Sequence, residues 1–280
     1  MLLKFTKMHG AGNDFVVIDA TRTPFVADAE LLARLTDRHF GVGCDQVLVI
    51  EPPSTADVDF NYRIFNADGS EVGQCGNGSR CFARYVRDNR LSDKKLLRVR
   101  TQTSVLELQT LANGEVRVNM GVPLLEPAQV PFSGAAVRAQ RYHLTLDSGA
   151  RIEFAAVGMG NPHAVMEVAD VETAPVAVVG EALQQHAAFP QRANAGFMQI
   201  LDTAHVALRV YERGAGETMA CGSGACAAVV AGRLWGRLSA QVDVRVRGGM
   251  LGIEWQGEGE PVWMTGPAVT VFKGEIEWQS

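Results

Sequence analysis

Short apolar stretches, alternating or rich in β-branched residues, recur along the chain and predict strands. In the first half these are "FVVIDA", "QVLVIE", "DFNYRIF", "KLLRVRT", "VLELQT" and "EVRVNM". In the second half they are "RYHLTLD", "RIEFAAV", "HAVMEV", "FMQIL", "HVALRVYE", "VDVRVR" and "LGIEW". Helical spacing is rarer. Asp28 stands as an N-cap before "AELLARLTDRHF", where Leu31, Leu32 and Leu35 share a face. "GSRCFARYVRDN" and "GACAAVVAGRLW" each follow a Cys-Gly pair, and "GEALQQHAAF" lies between them. The Pro- and Gly-bearing stretch Gly121–Gly134 reads as a linker. The pattern predicts an α+β chain of two strand-rich domains, each wrapping a helix that begins just after a cysteine. Their expected bounds are 1–121, completed by a C-terminal strand over 267–280, and 122–266.

The two halves echo one another. "EVGQCGNGSRC" (Glu71–Cys81) and "ETMACGSGAC" (Glu217–Cys226) both contain Glu-x-x-x-Cys-Gly-x-Gly before an apolar, helix-like segment. At the same separation "RIFNADGSEVGQCGNG" lies over "RVYERGAGETMACGSG", so that an arginine, an aliphatic, an aromatic and the glutamate coincide. This alignment sets Asn66 against Glu212 and Ala67 against Arg213. "GNDFVV" faces "GNPHAV", which pairs Asn13 with Asn161, and "GCDQVL" resembles "GFMQIL", which pairs Gln46 with Gln199. Four matches in one order indicate an internal repeat.

Composition narrows the class. The 280 residues are 47% hydrophobic and 20% charged, ordinary for a globular protein. The net charge of −5 is spread without a basic run, which gives no electrostatic case for nucleic acid. No stretch approaches the roughly 20 apolar residues of a membrane span. Lys4 and Lys7 interrupt the apolar N-terminus, so it does not read as a signal peptide. Five cysteines are too few and odd in number for a secreted disulfide framework, and a reduced, cytoplasmic setting is expected.

A cysteine that precedes a helix meets the positive end of the helix dipole and free backbone N–H groups, which favour thiolate. The same N–H groups suit a ligand carboxylate. The flanking glycines are expected to let the backbone take unusual dihedrals and come close to a ligand. Cys75 and Cys221 thus offer two matched acid/base groups. Inverting a stereocentre needs such a pair, one removing a proton from one face and the other delivering a proton to the opposite face. Other readings of the thiols remain. Cys44, Cys81 and Cys226 read as small buried hydrophobes, the last two facing the core from their helices. The spacings Cys75-x5-Cys81 and Cys221-x4-Cys226, with no tight His pair, do not suit a structural zinc site. A redox disulfide between Cys75 and Cys221 is a further alternative. His9 and His39 read as structural.

"KMHGAGNDFVVID", "GVGCDQVL", "FNADGSEVGQCGNGSRC", "GMGNPHAV", "ERGAGETMACGSGACA" and "GRLWGR" together resemble the diaminopimelate epimerase family in order and over essentially the whole chain. "HGAGNDF" with "ERGAGET" favours that branch over the proline racemases and phenazine-pathway isomerases of the wider superfamily. The resemblance implies two pseudo-symmetric domains with the active site in the cleft between them. It also implies cofactor-independent epimerisation of LL- and meso-diaminopimelate in lysine and peptidoglycan-precursor synthesis. Cys75 and Cys221 are then the acid/base pair. Asn13, Gln46, Asn66, Asn161, Asn194, Glu212 and Arg213 hold the substrate. The amides of Gly76–Asn77 and Gly222–Ser223 bind the reacting carboxylate. His163 and Glu212 tune the thiols. No cofactor or metal is implied, and the partners are a small-molecule substrate and a second copy in a homodimer. A C-terminal tyrosine that contributes to that dimer in some members is Phe272 in this chain. A proline- or hydroxyproline-type racemase and a non-catalytic thiol redox protein are the alternative functions.

Overall fold

The structure is a computed structural model and describes residues 2–73 and 75–277. It divides into two compact units, Met1–Asn119 with Thr265–Ser280, and Met120–Met264. In the first unit, β1 (Leu2–Gly10) is antiparallel to β2 (Asn13–Asp19), and β2 is parallel to β3 (Gln46–Glu51). Next, β3 is antiparallel to β4 (Phe60–Asn66), and β4 is parallel to β5 (Leu96–Arg100). The hairpin partners β6 (Val105–Thr110) and β7 (Val116–Asn119) follow, both pairings antiparallel.

The second unit repeats this scheme. Strand β8 (Tyr142–Thr145) is antiparallel to β9 (Arg151–Gly158), which is antiparallel to β10 (Pro162–Glu167). Strand β10 is parallel to β11 (Asn194–Ile200), and β11 is antiparallel to β12 (His205–Glu212). The two-residue β13 (Gly216–Glu217) pairs antiparallel with β12, β14 (Gln241–Val246) runs parallel to β12, and β15 (Gly249–Glu254) is antiparallel to β14. The alternation of antiparallel and parallel pairs from β1 to β6 therefore recurs from β9 to β12 and on through β14 and β15. Strand β16 (Trp263–Gly266) returns the chain to the first unit, where β17 (Val269–Glu277) lies antiparallel to β1.

Each unit encloses one helix and carries a second on the other side of its strands. Helix α2 (Gly76–Asp88) packs on β1, β2, β3, β6, β7 and β17, and α4 (Gly222–Leu234) packs on β9, β10, β11, β12 and β15. The α4 sequence is apolar all round, and Ala225 to Gly232 is buried without interruption, as such a helix requires. Helix α2 is amphipathic by sequence, yet Arg80 is fully enclosed and its Nε donates to Pro267 O at 3.1 Å, which ties the C-terminal segment to the helix. On the outer faces, α1 (Ala29–Thr36) seats Leu31, Leu32 and Leu35 on Val47 and Val49, and α3 (Val176–Gln185) seats Val176 and Leu183 on β11. Covering both faces explains why "QVLVIE" is apolar without alternation.

Several expectations change. Helix α1 does have Asp28 as its N-cap, but it ends at Thr36 and not at Phe40. The Asp37 carboxylate accepts the amides of His39 and Phe40 at 2.7 Å, a local turn that competes with the helix, and Phe40 is 89% exposed. Helix α3 starts earlier than "GEALQQHAAF" and stops before His186. The stretch read as a linker is packed structure: Val130 and Phe132 join the core of the second unit, and Leu124 bridges Gly158. Strands β1, β13 and β16 were not expected. The expected C-terminal strand is β17, and its last residues, 278–280, lie outside the described residues. Phe272 is half-exposed on β17, its ring edge-on to Phe5 at 6.0 Å. Among the described residues no helix is long and apolar enough to cross a membrane.

Cys44 and Cys81 are enclosed as expected, and burial pushes each thiol from about 9 up to about 12. An unfolded thiol ionises above the lower value while the folded one stays protonated, so stability is full below pH 9 and falls as pH rises toward 12. The expected loss is about 1.4 kcal/mol per pH unit for each thiol. Denaturant titrations between pH 8 and 11 check this: a Cys44→Ala/Cys81→Ala double variant should show a shallower decline, and an unchanged slope contradicts the assignment.

Candidate functional site

The strand register gathers the polar candidates of each unit along one edge. Strands β2 and β3 are parallel and β4 is antiparallel to β3, so the starts of the first two meet the end of the third. Asn13 opens β2, Gln46 opens β3, and Asn66 closes β4 directly opposite Gln46. Gln46 Nε2 donates to Asn66 Oδ1 at 2.9 Å, and Asn66 Nδ2 donates to Ser70 Oγ at 3.0 Å. In the second unit Asn161 immediately precedes β10, Asn194 opens β11, and Glu212 closes β12.

Register also corrects the repeat. Phe15 pairs with Gln46 between β2 and β3, and His163 pairs with Asn194 between β10 and β11. Gln46 therefore corresponds to Asn194, not to Gln199. The likeness of "GCDQVL" to "GFMQIL" aligned the wrong ends of two similar strands. Gln199 lies near the far end of β11, and its Oε1 accepts the Val171 amide at 3.2 Å, a structural role. The pairing of Asn66 with Glu212 agrees with the strand ends.

Each cysteine is the N-cap of its unit's enclosed helix, with extended backbone dihedrals. Cys75 is partly exposed; its Sγ accepts the Gly78 amide at 3.4 Å and lies 3.8 Å from Asn13 Oδ1. Asn77 Nδ2 donates to that same oxygen at 3.2 Å. Asn13 is aimed by Asp45, whose Oδ2 accepts Asn13 Nδ2 at 2.7 Å. Asp45 in turn is held by Arg38 at 2.7 Å. Arg38 also forks onto Asp14, which pairs with Lys7 at 2.6 Å. Burial opposes ionisation of Asp14, but Arg38 and Lys7 together hold it well below the usual carboxylate range. The sequence offered a signal for this support, two aspartates at the edges of "GNDF" and "GCD", which the resemblance did not mark.

Cys221 is only 4% exposed, with its Sγ 3.7 Å from Ser223 Oγ. Burial first, and then the neighbouring Glu212 carboxylate, push its thiol well above the ordinary value. Glu212 is fixed by Thr218 Oγ1, which donates to its Oε1, and by Gln184 Nε2, which donates to its main-chain carbonyl at 2.8 Å. The structure thus brings Cys221 and Glu212 together. The hydrogen bonds of His163 run to asparagine and not to a thiol: Nε2 donates to Asn161 Oδ1 at 2.8 Å. Burial and the nearby Arg213 charge lower His163 to about 3, so the ring is neutral. Its buried Nδ1 has no partner among the described residues. Asn194 Oδ1 accepts the Arg213 amide at 2.7 Å, and the Arg213 guanidinium reaches Gln191 O at 3.0 Å from an exposed position.

The amides at Gly76–Asn77 and Gly222–Ser223 belong to the first turn of each helix, at the positive end of its dipole and beside its cysteine. None of Gly76, Gly78, Gly222 or Gly224 has positive φ, so no left-handed dihedral calls for glycine there, and at Gly78 and Gly224 closeness does. A Cβ on Gly78 would stand 2.3 Å from the Tyr62 hydroxyl, and one on Gly224 would stand 3.0 Å from Val210 Cγ2. Gly78→Ala is therefore expected to destabilise the chain by about 1–3 kcal/mol, as an overpacked core does. Tyr62→Phe, which removes the clashing oxygen, should restore most of that loss. Thermal melts of the single and double variants check it, and additive losses contradict it.

Comparison with known proteins places the chain in a family. The family model described as diaminopimelate epimerase matches residues 5–125 and 155–271. The chain is 57% identical over 279 residues to the diaminopimelate epimerase of Nitrosospira multiformis, covering 100% of both chains. It is 58% identical over 278 residues to that of Azoarcus sp., covering 99% of each. Among solved structures, a probable proline racemase from Agrobacterium radiobacter shares the fold with TM-score 0.73 at 15% identity, covering 99% of this chain and 93% of that one. A hydroxyproline epimerase from Agrobacterium vitis does so with TM-score 0.72 at 16% identity, covering 98% and 92%. With the family model spanning most of its length and full-length relatives above half identity, the chain belongs to the diaminopimelate epimerase family.

Proposed function

We propose that the protein is an isomerase that interconverts LL- and meso-diaminopimelate by proton transfer at the α-carbon, with Cys75 and Cys221 as the two acid/base groups. The observation that carries this reading is the duplicated N-cap cysteine, one per unit on an equivalent helix. The full-length similarity to named diaminopimelate epimerases supplies the substrate class.

In this reading the two units act as lobes, with bounds close to 1–121 plus 267–280 and 122–266, and their thiols take opposite faces of one carbon. The enclosed Cys221, disfavoured as thiolate by burial and by Glu212, begins as the acid. The more accessible Cys75, beside the Gly78 amide and the α2 dipole, begins as the base. Cys75 thiolate takes the α-proton and becomes a thiol while the Cys221 thiol delivers its proton to the other face and becomes a thiolate. The product is the opposite configuration, and the reverse reaction exchanges the roles. Negative charge that develops on the substrate carboxylate falls to the amides at Gly76–Asn77 and Gly222–Ser223.

Asn13, Gln46, Asn66, Asn161, Asn194, Glu212 and Arg213 hold the substrate, and His163 acts through Asn161 as a neutral ring. Glu212 doubles as the group that keeps Cys221 protonated. The proton transfer itself calls on no cofactor or metal. The setting is the cytoplasm, and the active form is a homodimer to which the β17 face with Phe272 contributes. Incubating the purified chain with LL- or meso-diaminopimelate, without added cofactor, tests the reading. Each isomer should yield the other, and no conversion of either overturns it.

A further inference from the structure

Four residues before each thiol the cysteine loop is clamped by the same ion pair, to which the chemistry above gives no part. In the first unit Arg63 on β4 donates Nε to Glu71 Oε1 at 3.1 Å and Nη2 to Oε2 at 2.8 Å. In the second Arg209 on β12 donates Nε to Glu217 Oε1 at 2.6 Å and Nη2 to Oε2 at 2.9 Å. Two-point guanidinium–carboxylate bonds are strong and directional, and lysine cannot reproduce them. Main-chain pairing adds to each clamp, with Glu71 bridged to Phe65 and Glu217 to Tyr211.

A second hold follows two residues later from the neighbouring hairpin. Thr103, between β5 and β6, donates Oγ1 to Gly73 O at 3.1 Å, and Gly248, between β14 and β15, donates its amide to Met219 O at 2.8 Å. Only three residues separate each glutamate from its cysteine, so a displaced anchor moves the N-cap with it. In the second unit the clamp extends further, because Thr218, next to Glu217, is the residue that fixes Glu212. The partners are shielded enough to matter: side-chain exposure is 19% and 17% for Arg209 and Glu217, and 34% and 23% for Arg63 and Glu71.

We propose that Arg63–Glu71 and Arg209–Glu217 are positioning pairs, one per cysteine, that set each thiol at the mouth of its helix. The kinetic consequence rests on the two-thiol reading given under the proposed function; the consequence for thiol placement does not.

Glu71→Gln and Glu217→Gln keep the side-chain size and break the fork. The intact enzyme is treated with iodoacetamide at one pH, and the modification of Cys75 and Cys221 is followed separately by peptide mass spectrometry, beside kcat, KM and a thermal melt. Glu71→Gln should change the alkylation rate of Cys75 and leave that of Cys221 at the wild-type value, and Glu217→Gln should do the converse. In both, kcat should fall about 10²-fold in either direction, the scale of a misplacement near 1 Å, with KM little changed. Arg63→Lys and Arg209→Lys, which keep the charge but lose the fork, should give the same thiol-specific pattern and serve where a Gln variant folds poorly. A lower melting temperature with both alkylation rates at wild type overturns the proposal. If Cys75→Ser still epimerises, the functional reading fails, and the alkylation rates alone still decide the clamps.

Discussion

Cys75→Ser and Cys221→Ser are each expected to lose about 10⁴-fold or more in kcat in both directions, the upper range for general acid–base catalysis, because each thiol serves as base in one direction and acid in the other. A serine hydroxyl fits the N-cap and can accept the Gly78 amide in place of Cys75 Sγ, so the helix start should survive. At neutral pH that hydroxyl cannot become the base. Substrate binding, measured by calorimetry, should persist, since the asparagines, Arg213 and the helix amides are untouched. The two thiols should still differ in reactivity. Cys221 lies against Glu212 in an enclosed site, whereas Cys75 is more open beside Asn13, so alkylation of wild-type enzyme should reach Cys75 first. Turnover near the wild-type rate in either variant contradicts the assignment of both cysteines.

Arg213→Met is expected to lower kcat/KM by about 10²-fold, which corresponds to a charge-assisted hydrogen bond of about 1.5–3 kcal/mol. Two features suit this side chain to the role proposed for it. Its amide is fixed by Asn194 Oδ1, so the backbone position is set. Its guanidinium is exposed, touches a main-chain carbonyl of Gln191, and forms no ion pair among the described residues. Removing the charge should also raise the His163 pKa, since Arg213 is one of the two causes that depress it. Arg213→Lys keeps the charge but loses the planar fork and should fall between Met and wild type. Steady-state kinetics with diaminopimelate check the order, and equal kcat/KM for all three chains contradicts a carboxylate-binding role.

Much of the fold was legible because apolar runs bounded by turn residues mark strands well, and an all-apolar run such as "GACAAVVAG" can only be enclosed. The duplicated Cys-Gly motif located both helix starts. What escaped depended on long-range pairing. Gln46 and Asn194 differ in letter and by one methylene, and only the parallel registers of β2 with β3 and of β10 with β11 make them equivalent, whereas Gln199 matched by letter and lies elsewhere. The 121–134 stretch carries Pro and Gly like a linker, yet Val130 and Phe132 find an apolar face that no local rule reveals. The burial of Arg80 has no local signal, because the carbonyl it reaches, that of Pro267, is far away in sequence. The arginine and glutamate of each clamp were visible as coincident letters, but their bidentate bonds needed the strand geometry.

The most direct measurement of the central claim uses heavy water. Each isomer of diaminopimelate is epimerised in D₂O, stopped early, and its α-hydrogen content is read in recovered substrate and in product. Two thiols on opposite faces require that the proton removed differ from the one delivered, so product should carry solvent deuterium while recovered substrate stays almost unlabelled, from either isomer. Product that keeps its original α-proton means that one group serves both faces, and the account given for Cys75 and Cys221 is then wrong.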